Sequence, residues 1–142
     1  MFIRKYPGET IFMQDESGSY LIDPGLKTFT EGGWKVEDFH HFSDYILISA
    51  DREESYLEGI IENIYQASAP DIVAPPAVVE KLDSRNVPAI STEKGIEGLE
   101  VVPGEELGFV LNGYYYVGTT GYHAGPKDVD FDALLLSTNF MG

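Results

Sequence analysis

The sequence predicts a mixed α/β layered fold, and three observations carry that prediction. Short β-type runs broken by hairpin turns open the chain. A strand, helix, strand, helix, strand series follows, and strands return in the last third. The alternation with helices implies parallel neighbours in the middle, whereas the flanking hairpins imply antiparallel ones. A length of 142 residues fits one domain spanning 1–142, and no linker, repeat or low-complexity tract divides it.

The opening strands are expected over 2–6, 10–14 and 19–23. Pro7-Gly8 and Glu16-Ser17-Gly18 separate them with the residues that hairpin turns require. Between Pro24 and Asp44 the pattern is irregular. Gly32-Gly33 interrupts it, and Val36, Phe39 and Phe42 offer one short helical face, so a loop with a helical turn is expected.

Tyr45 to Ser49 is a continuous apolar run, the pattern of a strand buried on both faces. A helix over 53–68 is expected next, because Tyr56, Leu57, Ile60, Ile61, Ile64 and Tyr65 recur on one stripe. Asp51 and Glu54 have the spacing of a capping box at its start. A strand over 71–74, a helix from Pro75-Pro76 through Leu82 and a strand over 87–90 complete the middle. The last third predicts strands over 99–102, 108–111, 114–118 and 133–136, with Asn112-Gly113 as a two-residue hairpin turn. On a strand, Tyr114, Tyr115 and Tyr116 alternate faces, so at least one ring belongs to the core.

Charge and composition narrow the function. Nine Lys plus Arg against 24 Asp plus Glu leave a formal charge of −15, which repels phosphate backbones and argues against a nucleic-acid partner. Zero Cys removes disulfides, thiol catalysis and thiolate metal sites. No apolar run approaches the ~18 residues of a membrane span, and the N-terminus lacks the apolar core of a signal peptide. The expectation is a cytoplasmic protein with no membrane partner.

The order of motifs is distinctive. A meander ends in Leu21-Ile22-Asp23-Pro24-Gly25, the buried run from Asp44 to Ser49 leads into a helix, Val110 to Tyr122 contains Gly118-Thr119-Thr120-Gly121, and Asp132 precedes Ala133 to Leu136. This order resembles the metallo-β-lactamase superfamily, in particular its small hydrolases related to ascorbate-6-phosphate lactonase. The resemblance implies a layered αββα sandwich, shortened here at the C-terminus. It also implies where a metal would sit. The family's Thr-His-x-His-x-Asp-His loop falls on Ser49 to Ser55, placing Ala50, Arg52 and Ser55 at His positions and Glu54 at the Asp. The family's Gly-Asp-Thr-Gly falls on Gly118 to Gly121, placing Thr119 at the bridging carboxylate. Only Glu54 retains a ligand group, so the resemblance implies a degenerate site and no cofactor.

The residues alone lead to the same expectation. A catalytic zinc takes about three protein ligands, and the chain has three His. His40 and His41 are adjacent and point apart on any regular element, while His123 stands alone. Asp51 and Glu54 are read as caps or as ligands of a hard cation, and Arg52 as a partner of Glu54 or of an anionic ligand. Asp23 is read as a structural residue of an Asx-type turn. His123 and Glu54 are the candidate catalytic groups, and Arg52, Thr119 and His123 the candidate binding groups.

Three functions follow from this reading. The first is a non-catalytic protein with an assembly, regulatory or binding role through a protein partner. The second is a divergent hydrolase of a small ester, lactone or phosphoester, using Glu54, Asp51, His123 or Glu105 around a single divalent metal such as zinc. The third is a small-ligand binding module. The apolar terminus over 133–142 adds the expectation of a homodimer that also uses Tyr114 to Tyr116.

Overall fold

The computed structural model describes residues 2–94, 96–103, 107–111, 114–117 and 133–136. A meander of β1 (Phe2–Lys5), β2 (Ile11–Asp15) and β3 (Gly18–Ile22) begins a six-stranded sheet, which β4 (Tyr45–Leu47), β5 (Asp71–Ala74) and β6 (Ile90–Ser91) continue in chain order. The first three strands pair antiparallel and the later neighbours pair parallel. Both turns of the meander form as their residues dictate. Gly8 supplies a φ of +86°, and the Asp15 carboxylate accepts the backbone N–H of Ser17 at 2.8 Å.

In this sheet each parallel connection crosses over through helix. α1 (Leu26–Thr30) and a 3₁₀ turn (Val36–Phe39) join β3 to β4, α2 (Glu58–Ser68) joins β4 to β5, and α3 (Pro76–Asp83) joins β5 to β6. The second sheet has four strands in the order β10-β9-β8-β7: β10 (Ala133–Leu136), β9 (Tyr114–Val117), β8 (Gly108–Leu111) and β7 (Leu99–Val102). β7, β8 and β9 are antiparallel, and β10 lies parallel to β9. The α/β class is therefore the one expected. No described helix is long and apolar enough to cross a membrane.

The period-2 alternation of the first sheet separates two cores. Leu21, Ile46, Ile72 and Ala74 face the helices, where they meet Phe39, Ile61, Ile64, Val78 and Leu82. Ile11, Met13, Tyr20, Ile22, Leu47 and Val73 face the second sheet and meet Phe109, Leu111 and Tyr116. β4 and β5 bury Ile46 and Ile72 on one face and Leu47 and Val73 on the other, which is why β4 reads as an unbroken apolar run.

Several expectations need correction. α2 starts at Glu58 rather than at 53, and its N-cap is Leu57 with no side-chain cap bond. Asp51 and Glu54 form no capping box, because residues 51–55 turn instead of entering the helix and the Asp51 carboxylate is engaged by Tyr56 and Lys81. β6 covers Ile90–Ser91 instead of 87–90, and Val87 is buried in the helix-side core. The Asn112-Gly113 turn and the terminus after Leu136, on which the homodimer expectation rests, lie outside the described residues.

Candidate functional site

Where β3 and β4 end side by side, a buried polar network begins. Asp23 follows β3 with a φ of +48°, and its backbone N–H donates to the Leu47 carbonyl at 2.8 Å. That geometry turns its fully buried carboxylate toward Ser49. The Ser49 backbone N–H donates to one Asp23 oxygen at 2.7 Å and the Ser49 hydroxyl to the other at 2.5 Å. From the second sheet, the Tyr116 hydroxyl reaches that second oxygen at 2.7 Å and the Glu9 carbonyl at 3.1 Å. The Asp23 carboxyl takes its backbone N–H from Ser49, just past the end of β4, rather than from its own turn.

Glu9 extends the network toward the loop after β4. It lies in the connection between β1 and β2, and its side chain is wholly buried. One carboxylate oxygen accepts from an Arg52 guanidinium nitrogen at 2.6 Å and the other from the Ser55 hydroxyl at 3.2 Å. The Ser55 and Ser49 hydroxyls are 3.5 Å apart. Thr10 supports this corner, donating to the Asp23 carbonyl at 2.6 Å and accepting the Gly25 N–H at 3.2 Å. Arg52 therefore pairs with Glu9, 43 positions away, and not with Glu54.

The backbone holds the loop in place. The Leu26 N–H donates to the Glu53 carbonyl at 2.8 Å, and a Cβ on Gly25 would come within 1.9 Å of the Glu54 carbonyl oxygen. This close approach is what the glycine of the Asp23-Pro24-Gly25 turn provides. On the outer side, Tyr56 and Lys81 both donate to Asp51, at 2.8 and 2.7 Å. Asp51, Arg52, Glu53, Tyr56, Leu57, Glu58 and Lys81 line a cleft of about 260 Å³ between the loop and α3.

Electrostatics follow this burial. Loss of water, reinforced by the Glu9 charge, pushes the Asp23 carboxyl up to about 8, and the three donor groups around it only partly offset that. The hydrogen bond from Lys81 holds the Asp51 carboxyl below the usual range. That same bond raises the Lys81 ammonium. Burial, followed by the bond to Asp51, raises the Tyr56 phenol.

The fold gathers Ser49, Arg52, Ser55 and Asp23 in one place, with Ala50 buried beside them in the chain. Glu54 adds no side-chain bond to the network among the described residues. His40 bonds Asn63 at 2.6 Å, and His41 sits exposed at a φ of +56°. Glu105, Thr119 and His123 lie outside the described residues, as does the rest of Gly118 to Gly121. Sequence reasoning missed Glu9 and the hydroxyl of Tyr116. A carboxylate immediately before an apolar strand, in a turn that otherwise needs only Pro and Gly, was the available signal for Glu9.

No protein-family model and no curated protein matches the chain. Among solved structures it is similar to Igni18, a novel metallo hydrolase from the hyperthermophilic archaeon Ignicoccus hospitalis KIN4/I. The TM-score is 0.57 at 14% identity, over 81% of this chain and 57% of that one. The chain carries a metallo-hydrolase-like fold. It spans somewhat over half the length of that hydrolase. The metal such a fold implies does not fit the donors of this network. Positions 49, 50, 52 and 55 of its loop present two serine hydroxyls, an alanine methyl and a guanidinium, Asp51 is engaged by Tyr56 and Lys81, and no three His, Asp or Glu side chains among the described residues come together as a metal-holding group.

Proposed function

We propose that this protein is a non-catalytic variant of the metallo-hydrolase-like fold, free of metal, that acts by binding in an assembly or regulatory role. One observation carries the reading. Ser49, Arg52 and Ser55, aligned by the sequence resemblance with the conserved loop of metal hydrolases, are bonded to the buried carboxylates of Asp23 and Glu9. A metal hydrolase needs open, deprotonated donors and a bound water whose pKa the metal lowers. A loop whose polar heads are already bonded inward offers neither.

The test combines composition with activity. Protein purified without chelator is expected to contain no stoichiometric zinc, iron or manganese, and to hydrolyse lactone, phosphodiester and thioester probes at background rates. One metal equivalent per chain, or turnover that chelation abolishes, overturns the reading in favour of a divergent hydrolase.

A small-molecule role is the second reading, and the cleft of about 260 Å³ favours it. Arg52 and Lys81 line that cleft, each anchored by a carboxylate, and so present cationic groups held in fixed positions.

A further inference from the structure

We propose that the Arg52 guanidinium is the resident cation of this site, supplying by ion pairing the charge and cross-linking that a metal supplies in metal hydrolases. The inference rests on the metal-free reading above and deepens it. A buried carboxylate is tolerated only when paired and hydrogen-bonded. Glu9 meets that condition through Arg52 at 2.6 Å and Ser55 at 3.2 Å, with its side chain at 0% exposure and that of Arg52 at 31%.

The pair also does mechanical work. Glu9 belongs to the β1–β2 connection and Arg52 to the loop after β4, so the contact ties two segments that share no strand pairing. Tyr116 carries the tie onward, since its hydroxyl reaches both the Glu9 carbonyl and the Asp23 carboxylate from the second sheet. Arg52, Tyr116 and the carboxyl groups of Glu9 and Asp23 thus connect the β1–β2 connection, the end of β3, the β4–α2 loop and β9. A planar guanidinium suits this task because it is permanently charged and donates in several directions at once.

The alternative is an ordinary ion pair whose removal costs little, as for exposed pairs. A double-mutant cycle on the full chain separates the two, with thermal melting as the readout. Arg52→Met is expected to lower the Tm by about 10 °C, because it leaves the Glu9 charge buried without its guanidinium. Arg52→Lys, which keeps the charge but not the planar fork, is expected to lose more than half as much as Arg52→Met yet to melt clearly above it, and Arg52→Met combined with Glu9→Gln is expected to melt above Arg52→Met alone. If Arg52→Met does not fold, recovery of a folded chain in the combined variant is the same result. Losses that simply add, or an Arg52→Lys no better than Arg52→Met, overturn the proposal. Melting wild-type protein in chelator and in millimolar zinc keeps the two readings apart. A Tm raised by zinc overturns the metal-free reading and the substitution with it, whereas an additive cycle with no zinc response overturns the substitution alone.

Discussion

The Asp23 carboxylate and Ser49, 26 positions apart, meet through two hydrogen bonds, the Ser49 N–H at 2.7 Å and its hydroxyl at 2.5 Å. This pairing joins the ends of two parallel strands beyond the last residues that their ladder covers. It also fixes where the chain enters the loop bearing Arg52 and Ser55. The turn that closes β3 and the loop that opens after β4 are therefore one structural unit.

Burial of Asp23 predicts a pH dependence of stability. The folded chain holds the proton up to about pH 8, against an ordinary value of 3.8 for the carboxyl in the unfolded chain. The folded state then binds more protons between those values, so the Asp23 contribution is complete below 3.8 and is lost as pH rises through 8. Asp23→Asn is expected to flatten this part of the profile. Melting temperatures of both proteins from pH 5 to 9 check it, and parallel profiles would count against the assignment.

Two tyrosine hydroxyls differ in what they touch. That of Tyr116 reaches Asp23 and Glu9, whereas that of Tyr6 is buried with no hydrogen-bond partner among the described residues. Tyr116→Phe is expected to cost about 1–2 kcal/mol, as a bond to a buried polar group does. Tyr6→Phe is expected to stay within about 0.5 kcal/mol of wild type or to stabilise. Urea unfolding with unchanged m-values measures both.

Glycine substitutions test the turn against the helix. Gly25→Ala drives a methyl into the Glu54 carbonyl, where the nearest atoms are all backbone of residues 53 and 54, and is expected to cost about 3 kcal/mol or more. Gly59→Ala meets nothing within 4 Å on α2 and is expected to stabilise by up to about 1 kcal/mol. Equal effects at the two positions would mean that Gly25 is not confined by the loop.

The legible parts of the fold were those encoded by nearby residues. Hairpin turn chemistry located the meander, the apolar run of Tyr45 to Ser49 located the central strand, and the stripe ending at Ile64 and Tyr65 located α2. Errors arose where a distant partner overrode a local pattern. Asp51 and Glu54 have capping-box spacing, yet Lys81 on α3 draws Asp51 outward and the helix begins after the turn. The site was legible by half. Asp23, Arg52 and Ser55 stood out by motif order, but Glu9 pairs with Arg52 across 43 positions and no periodicity encodes such a contact.

Reintroducing ligands tests whether the loop still faces a common point. Arg52→His removes the guanidinium and leaves an imidazole near the Glu9 carboxylate, and Ala50→His adds a second one two residues away. Ser55 is best left in place, because it is fully buried and a larger side chain would overpack it. Ala50 is itself 8% exposed, so the double variant is expected to melt below wild type without metal. Two imidazoles and Glu9 reach the three ligands that zinc takes in open sites. Zinc at ten times its dissociation constant should then raise the Tm of the variant by about 4 °C, with calorimetry confirming one equivalent bound. Adding Glu9→Gln should abolish the gain, since an amide is a poor zinc ligand. If zinc binds with Gln at position 9 as well as with Glu, the carboxylate does not face the loop and the network's geometry is wrong. If the folded double variant ignores zinc altogether, positions 50 and 52 do not converge, and the alignment of this loop with a metal site fails.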